Sequence, residues 1–349
     1  MTHSTNRANR PPLTVLRSGL FALYSLAACV FANAAEPLPA LGASTENLTV
    51  SGLSSGGFMA VQFHVANSAL VRGAGVLAGG PYYCAQGSTA KALSSCMSPN
   101  FLLPIPKPEV LRGEVEKQAA AHRIDAPANL AESRVWLLSG GKDSLVKDTV
   151  VDAARIFYLK WLPKSAIVYE RLPGAGHAMI APQAKGAGAC EATAPPYINH
   201  CGDFDAPGRL LTHLLGKLHA PAPAASGELI AFEQGEFAKP ETGMANTAYV
   251  YLPAACRQGG CRIHTAFHGC RQNAEAVGET WVRESGYNLW AESNRLIVLY
   301  PQTASAKAPN GCWDWWGYTG AGYHLQSAPQ IDAVRRMIER LAAKPKPKP

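Results

Sequence analysis

Val50-Ser51-Gly52-Leu53-Ser54-Ser55-Gly56-Gly57-Phe58-Met59 reads as a strand that ends in a tight turn and opens directly into a helix. Its centre, Gly52-Leu53-Ser54-Ser55-Gly56, fits the G-x-S-x-G elbow, in which a serine hydroxyl is held out on a sharp strand-to-helix turn. Such a turn forces the serine into a sparsely populated backbone conformation, and side chains two residues to either side would collide, hence the glycines. Ser54 is the candidate nucleophile. The backbone N–H of Ser55, at the start of the helix, is a candidate donor to an oxyanion. A plain Gly/Ser-rich loop would give the same five residues, so the reading turns on whether chemical partners exist elsewhere.

The chain after the elbow alternates short apolar strands with helices. A buried helix over Gly56 to Ser68 is followed by a strand from Val71 to Ala78. An irregular, cysteine-bearing stretch runs from Tyr82 to Pro108, and a polar helix from about Gly113 to His122. Arg134 to Ser139 is a strand leading into Gly140-Gly141-Lys142-Asp143, and Lys147 to Leu162 has helical spacing. Ala166 to Leu172 is a strand leading into Pro173-Gly174-Ala175-Gly176-His177. This alternation predicts a parallel sheet covered on both faces, whose functional groups lie at the carboxyl ends of its strands. Ser54, Asp143 and His177 each follow a strand, in the order Ser, Asp, His that the α/β-hydrolase fold uses. Their rivals are placed differently. Asp148 and Asp152 read as the solvated face of a helix. His64, His122, His213 and His219 lie on or beside helices, and His200 and His324 sit in loops that follow no strand.

The second half raises a question of order. Asp205 is placed to cap a helix reaching Leu218, and Pro221 to Gly227 looks like a linker between two domains. Strands follow at Leu229 to Gln234, Thr247 to Leu252, Arg262 to Phe267 and Leu296 to Tyr300. A largely helical stretch from Asn273 to Glu292 is broken at Gly286, and Ser327 to Ala343 is an amphipathic helix. Phe267-His268-Gly269-Cys270 matches the His-Gly oxyanion loop, which ordinarily precedes the nucleophile strand. Here it comes after all three candidates. Placing the last helix in front of Leu48 restores the usual order, so the chain reads as a circularly permuted α/β-hydrolase. The fold is then α/β with a mostly parallel sheet, and the two-domain split gives way to one catalytic domain over residues 35–343.

Composition sets the compartment. A hydrophobic content of 47% and a charged content of 16% describe a packed globular body. Residues 1–34 read as an export signal, with Arg7, Arg10 and Arg17, an apolar core from Leu20 to Phe31, and Ala32-Asn33-Ala34 as the cleavage site. Leu26-Ala27-Ala28-Cys29 offers a competing lipobox that would acylate and anchor Cys29. No apolar run is long enough to span a membrane. The formal charge of +7 loses three arginines with the signal, and Lys344, Lys346 and Lys348 in the Lys/Pro tail (residues 344–349) carry most of the rest. That is no nucleic-acid footprint. Eight further cysteines in an exported chain suggest four disulfides. Sequence order pairs Cys84 with Cys96, Cys190 with Cys201, Cys256 with Cys261 and Cys270 with Cys312, out of 105 pairings that eight cysteines allow. Zinc is the poorer reading of Cys256 and Cys261, since no second pair follows at zinc spacing.

Gly52-Leu53-Ser54-Ser55-Gly56-Gly57, Gly79-Gly80-Pro81-Tyr82-Tyr83-Cys84, Phe267-His268-Gly269-Cys270 and Cys312-Trp313-Asp314-Trp315-Trp316-Gly317-Tyr318 together resemble the extracellular poly(3-hydroxybutyrate) depolymerases, in their single-domain, circularly permuted form. The resemblance covers essentially the whole mature chain. It implies a Ser54–His177–Asp143 triad, an oxyanion hole from the N–H groups of Ser55 and Cys270, and a Trp-lined cleft from the Cys312 to Tyr318 loop. Trp313, Trp315 and Trp316 read as a loop wall for an apolar substrate, with plain core as the alternative. The expected activity is ester hydrolysis without metal or organic cofactor, by a secreted monomer acting on a polyester or its oligomers. Two other readings stand beside it: an esterase for soluble aryl or carbohydrate esters, such as a feruloyl or acetyl esterase, and a non-catalytic polymer-binding protein. Many bacterial members append a linker and a polymer-binding domain; here only the Lys/Pro tail follows the last helix, and binding to solid polymer is expected to fall to exposed apolar residues of the catalytic domain itself.

Overall fold

The computed structural model describes residues 1–3 and 35–345 of the chain; residues 4–34 of the expected export signal, Cys29 among them, and residues 346–349 of the tail lie outside the described residues. The elbow stands at the middle of the structure. β1 (Ser44–Leu53) runs into α1 (Ser55–Ala66), and β2 (Val71–Leu77), α2 (Thr89–Leu93), α3 (Pro108–Ala120), β3 (Arg134–Gly140), α4 (Asp148–Tyr158) and β4 (Ile167–Leu172) follow. A two-strand ribbon, β5 (Met179–Ile180) and β6 (Ile198–Asn199), precedes α5 (Ala206–Leu215). The remaining elements are β7 (Glu228–Glu233), β8 (Thr247–Leu252), β9 (Arg262–Phe267), α6 (Ala274–Val277), α7 (Thr280–Glu284), α8 (Tyr287–Asn294), β10 (Leu296–Tyr300) and α9 (Pro329–Ala342).

Eight strands form one sheet in the order β4-β3-β2-β1-β9-β10-β8-β7. All neighbours are parallel except β10–β8 and β8–β7. The strands are buried where they are central, as the five residues of β10 are, because helices cover both faces of a parallel sheet. Numbered from β7 instead of from β1, the sheet reads 1-2-4-3-5-6-7-8, so the first strand of the chain is fifth in the architecture. The seam of the permutation is closed by hydrogen bonds. The Leu41 and Ala43 N–H groups donate to Leu341 O at 3.1 and 3.0 Å, and Gly42 N–H to Ala343 O at 2.8 Å, tying the end of α9 to the start of β1. Ile331, Val334, Ile338 and Leu341 form the buried stripe of α9. Residues from Ala35 onward group as one compact unit, with both halves of the chain in the same sheet. Among the described residues, no helix is long and apolar enough to cross a membrane.

Some expected boundaries move. α3 begins at Pro108 and not at Gly113, because proline is pre-set for the first helical position, where its missing N–H costs nothing. α5 stops at Leu215, since Gly216 turns to φ 85°. The helical stretch before β10 falls into three pieces, broken at Gly278 (φ 59°) as well as at Gly286 (φ 90°). The irregular stretch also contains one short helix, α2.

Candidate active site

Ser54 sits at φ 57° and ψ −122°, a conformation that costs a side-chain-bearing residue backbone strain. Two hydrogen bonds hold it there: its N–H donates to Leu77 O at 2.9 Å and its carbonyl accepts from Phe58 N–H at 3.0 Å. The flanking glycines leave no room for a side chain. A Cβ on Gly52 would lie 2.3 Å from the Gly56 carbonyl, and one on Gly56 would lie 2.3 Å from Phe267 O. The second clash matters most, because it shows the elbow pressed against the loop that leaves β9. α1 is buried along its whole length beneath this turn.

Asp143 and His177 are joined directly. The His177 Nδ1–H donates to Asp143 Oδ2 at 2.7 Å, and both side chains are almost fully buried. The other carboxylate oxygen, Oδ1, accepts from the N–H groups of Leu145 at 2.8 Å and Val146 at 2.9 Å, which fixes the plane of the acid. The histidine loop is held from behind: His177 N–H donates to Thr193 Oγ1 and Gly176 N–H to Cys190 O, in the lobe closed by the Cys190–Cys201 disulfide. Ser54 and His177 line the same cavity of about 380 Å³. No hydrogen bond joins Ser54 Oγ to the imidazole; in serine enzymes that contact commonly tightens when substrate binds.

The loop after β9 supplies the opposite wall. His268 is fully buried; its Nδ1–H donates to Gly269 O at 2.7 Å, and its Nε2 accepts from Thr303 N–H at 3.3 Å. Burial pushes its pKa down to about 4, so the ring stays neutral in this tautomer. Because a trans peptide points its C=O and N–H in opposite directions, turning the Gly269 carbonyl toward His268 turns the Cys270 N–H away from it. Cys270 lines the cavity with Ser54. Among the described residues, neither the Ser55 N–H nor the Cys270 N–H has a hydrogen-bond acceptor, while the neighbouring Gly269 and Arg271 amides are both satisfied.

Four disulfides are present: Cys84–Cys96, Cys190–Cys201, Cys256–Cys261 and Cys270–Cys312. The last joins the Cys270 loop to the tryptophan loop with a Cα separation of 4.2 Å. Trp315 and Trp316 line the cavity, and Trp315 stacks on Phe58 with ring centroids 3.9 Å apart. Trp313 departs from the expected substrate wall. It is fully buried, packs against Phe267 and His268, and backs the wall from inside the core. Phe267 and His268 hold the Trp313 ring behind the loop, while the rings of Trp315 and Trp316 stay on the cavity side.

The rivals fall elsewhere. Asp148 and Asp152 pair with Arg171 and Arg155 on the outside of α4. His64 bonds Tyr158 and Ser133, and burial, then the Arg72 charge, pushes its pKa to about 3. His324 meets Glu114 and is not among the residues that line the cavity with Ser54. Two residues that organise the site gave no clear sequence signal of a role. The buried Asp314 carboxylate accepts from the N–H groups of Trp316, Gly317, Tyr318 and Thr319 and so shapes the tryptophan loop. An Asx turn ending on a glycine was the available sign. Gln272 accepts from Gly269 N–H at 2.7 Å and donates to Pro196 O and Tyr197 O, tying the Cys270 loop to the histidine lobe. Among the described residues no three His, Cys, Asp or Glu side chains gather as a metal centre would need.

Sheet order, permutation seam and elbow define the class as a circularly permuted α/β-hydrolase fold. The crystal structure of a PHB depolymerase from Penicillium funiculosum superposes with a TM-score of 0.81 at 29% identity, covering 88% of this chain and all of that one. A PHB depolymerase variant complexed with an R3HB trimer gives the same values. The polyhydroxybutyrate depolymerase of Talaromyces funiculosus is 31% identical over 330 residues, which cover 89% of this chain and 94% of that protein. The chain belongs to the polyhydroxybutyrate depolymerase family. It is also 44% identical over 317 residues to the poly(3-hydroxybutyrate) depolymerase of Delftia acidovorans, and the match spans 63% of that protein's length. No protein-family model matches the chain.

Proposed function

We propose that this protein is a serine esterase that hydrolyses poly(3-hydroxybutyrate) or its oligomers through an acyl-enzyme on Ser54. The observation that carries the reading is the pairing of His177 Nδ1 with an oriented, buried Asp143, opening on the cavity that also holds Ser54. Asp143 keeps the His177 proton on Nδ1 and leaves Nε2 free to take the Ser54 proton as Oγ attacks the ester carbonyl. The tetrahedral oxyanion then accepts from the two unused amides, Ser55 N–H and Cys270 N–H, each worth on the order of 3 kcal/mol of barrier. His177 returns the proton to the departing alkoxide, which leaves as the alcohol end of the shortened chain. Water, deprotonated by the same ring, attacks the acyl-serine and frees the acid.

The cavity suits an apolar ester. Trp315, Trp316, Leu93 and Leu145 line it, and Leu93 and Leu145 are exposed at its lip. Four disulfides and the amino-terminal signal support secretion of one catalytic domain, residues 35–343. The test compares kcat/KM of the purified mature chain for hydroxybutyrate oligomers, solid polymer and feruloyl esters. Hydroxybutyrate esters should lead; a preference for feruloyl esters overturns the substrate assignment.

A further inference from the structure

Among the described residues that line the cavity, Arg271 is the only basic one apart from His177, and none is an Asp or Glu. It follows the Cys270 N–H directly in the chain, and its side chain is exposed. Its backbone is in the left-handed region at φ 55°, and so is that of Asn310, also at φ 55°. The two strained residues hold each other: Arg271 N–H donates to Asn310 O at 2.8 Å, and the guanidinium reaches Asn310 Oδ1 at 3.3 to 3.4 Å. The Cys270–Cys312 bond links the residue before Arg271 to the second residue after Asn310. Among the described residues Arg271 has no carboxylate partner. Five guanidinium donors therefore meet one weakly engaged amide oxygen, at the rim of an otherwise uncharged apolar cavity. Strain of this kind persists where the surroundings enforce it, commonly at functional sites.

An unpaired guanidinium held in place is suited to a carboxylate, which it can grip with two parallel N–H donors. The proposed substrate class carries one. An oligomer of a short hydroxy acid has a single ionised carboxylate at one end, and every cleavage makes another. The interior of a long polymer offers only neutral esters. Resting on the ester-hydrolase reading above, we propose that Arg271 seats the free acid end of a short oligoester, directing cleavage to ester bonds near that end. Ser54 and Arg271 line the same cavity of about 380 Å³, so a scissile ester at Ser54 and a terminal carboxylate at Arg271 would share one site.

The experiment measures kcat/KM for the hydroxybutyrate trimer as free acid and as its methyl ester, in wild type, Arg271→Gln and Arg271→Lys, at low and high salt. Each ratio is taken within one enzyme, so a general loss of activity cancels. Wild type should favour the free acid by roughly two- to fivefold at low salt, the range of an exposed charge pair, and less at high salt. Arg271→Gln should bring the ratio to about one, and Arg271→Lys should restore part of it. A wild-type ratio of one or below, or an unchanged ratio in Arg271→Gln, overturns the proposal and leaves the hydrolase reading standing. Failure of wild type to cleave either trimer overturns both.

Discussion

Asp143→Asn alters one functional group, and the structure dictates how the new amide must sit. Asp143 Oδ1 accepts from Leu145 N–H and Val146 N–H at 2.8 and 2.9 Å, so that position takes only an oxygen. The opposite rotamer would set an NH₂ group against two N–H donors. The amide nitrogen therefore falls where Oδ2 now lies, 2.7 Å from His177 Nδ1, and there it donates. The ring must then accept at Nδ1 and carry its proton on Nε2, the nitrogen that has to receive the Ser54 proton. The expected loss is on the order of 10⁴ in kcat, or about 5.5 kcal/mol of barrier. The fold should survive, because the Leu145 and Val146 amides stay paired. Steady-state hydrolysis of p-nitrophenyl butyrate, with thermal melts of both proteins, measures it. A kcat within about tenfold of wild type, at an unchanged Tm, refutes the reasoning.

Three further outcomes follow from other parts of the structure. His64, His264 and His268 are buried as neutral rings with pKa values pushed down to about 3, 3 and 4, mainly by burial, from the ordinary 6.5. Below pH 6.5 the unfolded chain binds protons that the folded state refuses. Stability is therefore intact above that pH and falls as pH drops, by about 1.4 kcal/mol per unit for each ring. Circular-dichroism melts should show Tm falling steeply between pH 6 and about 4.5; a flat Tm over that range contradicts the assignment. Cys312→Ser opens a link with a sequence separation of 42, worth about 4 kcal/mol in the chain-entropy account, and should also lower kcat at least tenfold by loosening the Cys270 amide. Full activity, or a free Cys312 thiol in the active native protein, ends that idea. Gln272→Leu should lower kcat tenfold or more with little change in KM, since it strands the Gly269 N–H and frees the Cys270 loop; equal kcat would show that the loop holds itself.

The architecture was legible where local pattern and burial agree. β8, β9 and β10 occupy the spans expected from their apolar runs, residue for residue, because a strand buried on both faces is written as a continuous apolar segment. The permutation was legible from motif order alone, since Phe267-His268-Gly269-Cys270 makes sense only beside the elbow. Asp143 and His177 stood out because each follows a strand, and they are hydrogen-bonded to each other. What sequence concealed depends on distant partners. Gln272 bonds the carbonyls of residues 75 and 76 positions earlier in the chain, and no local rule points to that. Nor does spacing tell which of three tryptophans faces inward, because that depends on where Phe267 and His268 lie behind the loop.

The central claim is that Ser54 is the nucleophile, and active-site labelling tests it most directly. The protein is treated with a serine-reactive alkyl phosphonate and the modified residue is mapped by mass spectrometry. The account predicts one phosphonyl group per chain, on Ser54, with esterase activity lost in step and no labelling of Ser54→Ala. Stoichiometric label on Ser55 or another serine, or full inactivation with Ser54 unmodified, would contradict it.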